Sequence, residues 1–159
     1  MNQKSQSMVF IHGMYMTPLC WEHWIETFQA KGYACFAPAW PGRNRAVAEL
    51  RGEHPDSQLG RLTLRAVIEH LAGVIQALDH KPILVGHSMG GLIAQLLLQR
   101  GLTSAAVAID SAPPPGGLHA KMVVHQVQLA AYQPVCSPKP ADPDDLRALS
   151  IHLRELPTS

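Results

Sequence analysis

Six residues, Gly86-His87-Ser88-Met89-Gly90-Gly91, follow directly on the apolar run Ile83-Leu84-Val85 and leave the chain few ways to fold. A serine with glycine two places before it and two places after it, set between a short strand and a helix, marks a sharp turn with strained backbone angles. Only residues as small as glycine let strand and helix approach closely enough to hold such a turn. Ser88 is therefore expected at its apex, pushed out as a nucleophile that a substrate can reach.

The flanking sequence supplies the strands and helices that the turn needs. Met8-Val9-Phe10-Ile11-His12 is a continuous apolar run closed by Gly13, the pattern of a strand covered on both faces. From Pro18 the period changes: Trp21, Trp24, Ile25 and Phe28 recur at helical spacing, and Gly32 sits where a C-terminal cap belongs. Tyr33 to Ala37 reads as a second strand, stopped by Pro38 and the turn pair Pro41-Gly42. A loop or short helix rich in Arg and Glu follows to about Gly60. Leu62, Leu64, Val67, Ile68, Leu71, Val74, Ile75 and Leu78 mark a long amphipathic helix, and Lys81 to Val85 the third strand. Leu92, Ile93, Leu96 and Leu97 give the helix after Ser88 its buried side, and Ala105 to Ile109 forms a fourth strand. Strands alternating with helices predict an α/β fold: an open, mostly parallel sheet with helices on both faces.

Composition narrows the partners. The 159 residues, 47% of them apolar, suffice for one core and one domain. A net charge of +1 without a basic stripe points away from nucleic acid and anionic membranes, toward a small-molecule partner. The three cysteines, Cys20, Cys35 and Cys136, lack metal or CxxC spacing, which favours reduced thiols in a cytoplasm. Met1 to Ser7 is polar and Met8 to Ile11 too short for a signal peptide or membrane span, so the expected location is cytoplasmic.

Over about residues 8–115 these motifs, in this order, resemble the α/β-hydrolases: Val9-Phe10-Ile11-His12-Gly13, Pro41-Gly42, Gly86 to Gly91, and Ile109-Asp110-Ser111-Ala112-Pro113. The resemblance implies a sheet with the strand at 33–37 beside 8–12, then 83–86, then 105–109. It implies a serine hydrolase of carboxylic esters or related acyl bonds, with no metal or organic cofactor. Ser88 would attack the carbonyl carbon, and the backbone N–H groups of Met89 and Met14 would hold the oxyanion. His12 and His87 would support loops beside the site. Residues 1–115 would form the core of the domain, and 116–159 a Pro-rich tail.

A serine hydrolase also needs an acid and a histidine, arriving in the chain order Ser, acid, His. Asp110 ends a strand next to the elbow strand and is the candidate acid, although the usual family position is one strand later. His119, His125 and His152 lie downstream, and none follows a strand with an identifiable loop signature. The tail carries prolines at 134, 138, 140, 143 and 157, and only Ala120 to Ala131 and Asp142 to Leu153 read as helical. One expectation is that this tail is an out-of-frame translation of a longer gene: one base later, Met122-Val123 encodes a Trp whatever the codons. Two function classes follow. The first is a serine-dependent esterase acting on a small acyl substrate. The second is a truncated or frameshifted domain without activity, associating through an exposed sheet edge beside residues 105–109.

Overall fold

The computed structural model describes residues 6–53 and 55–111 together with the backbone of 124–127. Short apolar strands separated by helical segments cannot pair as hairpins, so each must cross over and pair in parallel. Five strands do so: β1 (Ser7–Ile11), β2 (Ala34–Phe36), β3 (Ile83–His87), β4 (Ala105–Ile109) and β5 (Val124–Val127), in the order β2-β1-β3-β4-β5. Every pairing is parallel, with Val9 opposite Leu84 and Val85 opposite Val107. The order of the first four matches that implied by the family resemblance.

Side chains alternate across a strand, and here both faces are apolar because both are covered. Met8, Phe10, Ile83, Val85, Ala105, Val107 and Ile109 point to one side, where Trp21, Trp24 and Phe28 meet them. These aromatics come from a 3-10 turn (Pro18–Trp21) and helix α1 (Glu22–Gln29). Phe10 and Trp21 lie 5.3 Å apart between ring centroids, and Trp24 meets Trp21 edge-on at 5.5 Å. Val9, Ile11, Leu84 and Ala106 face the other way, against α4 (Leu64–Gln76) and α5 (Met89–Gln99). Each helix shows the sheet one apolar stripe, as the spacing of its apolar residues requires.

The stretch after β2 forms two short helices, α2 (Val47–Gly52) and α3 (Ser57–Arg61). Asp56 caps α3: its Oδ1 accepts the backbone N–H groups of Gln58 and Leu59, both at 3.0 Å. Thr63 caps α4 in the same way, accepting from the Ala66 N–H at 3.2 Å.

Two expectations from the sequence are corrected. The edge of β4 beside residues 105–109 is not exposed, because β5 pairs along it, Ala106 opposite Val124 through Ile109 opposite Val127. The segment 120–131, expected as a helix, therefore contains a strand at Val124–Val127. The physical reason is the burial of β4, all five of whose residues are covered. Its backbone polar groups need partners on both edges, and a neighbouring strand supplies them. Apolar residues three apart, Val124 and Val127, fit a helical face as well as a strand, so periodicity alone misreads a segment this short. The second helical stretch, Asp142 to Leu153, and the frame-shift expectation lie outside the described residues.

Candidate active site

Ser88 stands between β3 and α5 with φ 55° and ψ −120°, a left-handed conformation that costs a non-glycine residue about 1–3 kcal/mol. The surrounding backbone imposes it. The Ser88 N–H donates to the Ile109 carbonyl at 2.9 Å, and the Ser88 carbonyl accepts from the N–H of Gly91 at 3.0 Å and of Leu92 at 3.2 Å. A Cβ on Gly86 would collide with the Gly90 carbonyl, and one on Gly90 with the Ile11 carbonyl. Glycine at both places is thus a requirement of β3 and α5 approaching each other and β1. Met89 is the first residue of α5, so its N–H has no acceptor within the helix.

The loop leaving β1 comes to the same sheet edge. A Cβ on Gly13 would lie 3.4 Å from the Ser88 Cβ, which places the Gly13-Met14 segment against the serine. The Met14 N–H meets no backbone acceptor among the described residues, and Tyr15 after it adopts φ 63°. His12 fixes this loop from below. Its ring is 1% exposed and stacks on Trp40 at 4.9 Å. The Trp40 N–H donates to His12 Nε2 at 3.3 Å, so Nδ1 carries the proton and donates to the Gly13 carbonyl at 2.9 Å. Burial lowers the His12 pKa below the ordinary histidine value; the Gly13 bond opposes this and the Arg43 charge adds to it. His12 is thus a neutral strut with both nitrogens engaged, the supporting role expected for it.

His87, at the end of β3, is also kept below the ordinary value by burial, while the charge of Asp110 pulls the other way. Its Nδ1 is buried without a partner among the described residues. Asp110 follows β4 with φ 47° and an exposed side chain, at the same carboxyl edge as Ser88. Of the three downstream histidines, His119 and His152 lie outside the described residues. His125 is in the body of β5, opposite Val107.

A cavity of about 490 Å³ is lined by Met14 and by Met89, the residue after Ser88, together with Trp40, Leu50, Leu59, Leu62 and Val67. Arg43 and Asp56 also line it, their side chains largely buried and paired, Nη1 to Oδ2, at 2.8 Å. Neither Arg43 nor Asp56 was signalled by the sequence: both fall in the segment read as a loop or short helix, and a lone Arg after Pro-Gly has no spacing that marks it. Among the described residues no three His, Cys, Asp or Glu side chains converge as a metal site. Cys20 and Cys35 form no disulfide, and burial pushes the Cys35 thiol up to about 11, an inert thiol. No helix among the described residues is long and apolar enough to cross a membrane.

The parallel sheet, the strained turn at Ser88 and the loop after β1 packed against it are the architecture of an α/β-hydrolase fold. A family model described as the alpha/beta hydrolase family matches residues 8–156, and the chain belongs to that family. It is 30% identical over 97 residues to a Mycoplasma pneumoniae protein named "Putative esterase/lipase 2", a span of 60% of this chain and 33% of that protein. Among solved structures, a pyrethroid hydrolase from Sphingobium faniae JZ-2 matches at TM-score 0.52 and 21% identity, over 69% of this chain and 42% of its own. An extracellular alpha/beta-hydrolase from a Paenibacillus species matches at 0.55 and 22%, over 69% and 42%. At those identities the two structures attest the fold alone. The chain spans about a third to two fifths of the length of these relatives.

Proposed function

We propose that the chain carries the nucleophile half of a serine hydrolase acting on carboxylic esters or related acyl bonds. The observation that supports it most strongly is the left-handed Ser88 at the N-terminus of α5. A side chain held there against a conformational cost, with an unmatched helix N–H beside it, suits attack on a carbonyl carbon. In this reading the Ser88 oxygen bonds to that carbon, and the carbonyl electrons move onto oxygen. The N–H groups of Met89 and Met14 receive the resulting charge, each worth about 10²- to 10³-fold in rate. Collapse expels the alcohol, and water releases the acid from the serine.

The proton from Ser88 needs a base. His12 is unsuited, since both its nitrogens are bound to backbone groups. Asp110 stands at the right edge to orient a base, and we assign it the acid's role; the base itself is sought among His119, His125 and His152. The second reading is a domain that holds Ser88 in the strained turn without turning an ester over. Labelling with a fluorophosphonate probe and turnover of p-nitrophenyl acetate, each compared with Ser88→Ala, separate the two. Labelling lost in the variant supports the enzyme. Its absence, or its persistence in Ser88→Ala, overturns it.

A further inference from the structure

Among the described residues, the non-glycines that take a positive φ are Tyr15, Ser88 and Asp110, at 63°, 55° and 47°. Ser88 and Asp110 directly follow β3 and β4, and Tyr15 lies in the loop after β1, so all three stand at the carboxyl edge of three adjacent strands. Such backbone angles persist only where the surroundings over-determine them. Asp110 is fastened on both sides. Before it, the Ile109 carbonyl accepts the Ser88 N–H at 2.9 Å. After it, the Ser111 hydroxyl oxygen accepts Gln95 Nε2 at 3.0 Å, and Gln95 also reaches the Gly91 carbonyl of its own helix at 3.4 Å. Gln95 is a buried amide on the apolar side of α5, beside Ile93, Ala94 and Leu97, and Ser111 is buried with it. Gly91 completes the seat: a Cβ there would lie 2.6 Å from the Ser111 Cβ and 2.9 Å from its Oγ. Ser111 thus rests directly on the first turn of α5. The residues on either side of Asp110 are both tied to the elbow and its helix, and the one residue between them has little conformational freedom left. Aspartate is among the few residues that adopt this region at modest cost. From there its charge reaches His87, the neighbour of Ser88, and favours protonation of that ring against the larger effect of burial.

We propose that Gln95 is a positioning residue: through Ser111 it holds Asp110 in its left-handed conformation and so keeps that carboxylate at the sheet edge where Ser88 stands. The catalytic half of this inference rests on the proposed hydrolase reading, in which Asp110 is the acid; the conformational half does not.

The test reads the two halves separately in the full chain. In isotope-labelled protein, the one-bond Cα–Hα coupling of Asp110 measured by NMR tells a positive from a negative φ. Gln95→Met keeps the length of the side chain and loses the donor; Ser111→Ala loses the acceptor. Each is expected to move the Asp110 coupling out of the positive-φ range and to lower kcat for p-nitrophenyl acetate by about tenfold or more with KM unchanged. The double variant loses no more than either single one, because both remove the same bond. Added to Asp110→Asn, Gln95→Met changes kcat no further. A Gln95→Met protein that is folded and keeps the parent coupling overturns the proposal, whatever its melting midpoint, since Gln95 then only stabilises the fold. A coupling that moves while kcat does not overturns the catalytic half. Should circular dichroism show that Gln95→Met is unfolded, Ser111→Ala, the loss of a single oxygen, decides by the same two readings. Failure of the fluorophosphonate probe to label Ser88 in the parent sinks the hydrolase reading and leaves the coupling measurement standing.

Discussion

The backbone N–H of Ser88 donates to the carbonyl of Ile109 at 2.9 Å, so the candidate nucleophile is fastened to the strand that ends in Asp110. That coupling keeps Asp110, to which the proposed function gives the acid's role, at the sheet edge where Ser88 stands. Asp110→Asn is expected to lower kcat for p-nitrophenyl acetate by about 10²-fold or more while leaving the unfolding midpoint within a degree or two, since the side chain is exposed. Unchanged kcat would assign the acid elsewhere.

Substituting the strained serine tests the elbow from the side of stability. Ser88→Gly removes the cost of φ 55° and should stabilise the fold by about 1 kcal/mol while abolishing probe labelling. Urea titration of both proteins reads the first effect. A variant less stable than the parent would mean that the Ser88 hydroxyl holds the turn together.

Gly86→Ala and Gly90→Ala should each cost about 3 kcal/mol or more, because the added methyl would meet a backbone carbonyl, not a flexible side chain. Gly73→Ala is the control: nothing lies within 4 Å of its Cβ position, and in mid-helix it should stabilise by about 0.5–1 kcal/mol. Yields of soluble protein and thermal midpoints check the contrast.

His12 gives the stability a pH dependence of known sign. Its pKa is lowered in the folded state, so the unfolded chain binds the proton more readily as pH falls below about 6.5. Stability is full above that value and declines below it, by at most about 1.4 kcal/mol per pH unit for this proton. His87, shifted the same way, adds to the decline. Urea midpoints between pH 8 and 5 measure it, and His12→Gln should flatten the profile. A midpoint that rises on acidification would contradict the buried neutral imidazole.

Removing Asp56 separates its cap from its charge. Asp56→Asn keeps the acceptor for the N–H groups of Gln58 and Leu59; Asp56→Ala loses it and the partner of Arg43 together. The Ala variant should therefore melt at lower temperature than the Asn variant in the same scan. Equal midpoints would mean that the cap contributes nothing.

The strands and their order were legible in the sequence because buried parallel strands are written as unbroken apolar runs, and Gly86 to Gly91 fixed where the third one turns. That Ser88, Met14 and Met89 meet at one sheet edge was legible for the same reason, since the turn after β3 and the loop after β1 both leave the carboxyl ends of neighbouring strands; the chemistry assigned to them stays a proposal. β5 was not. Its four residues carry no period of their own, and what places them is the unmet hydrogen bonding of β4. Arg43 was hidden differently. Its pairing with Asp56 closes across a segment whose two short helices have little periodicity, and the cavity wall it joins is built by residues as distant as Met14 and Val67.

The two carbonyls that hem in the elbow belong to opposite ends of the described chain: Ile11 presses on Gly90, and Ile109 holds the Ser88 N–H. The turn therefore cannot form when its own hexapeptide is synthesised. β3 must find β1, with Val9 pairing Leu84 after β2 and helices α1 to α4 have intervened in the chain, and must receive β4 on its other edge. Such distant parallel pairings are slow to close. The strained geometry of Ser88 therefore depends on β1 and β4 both being docked on β3, and a chain lacking either contact has nothing to hold the serine at φ 55°.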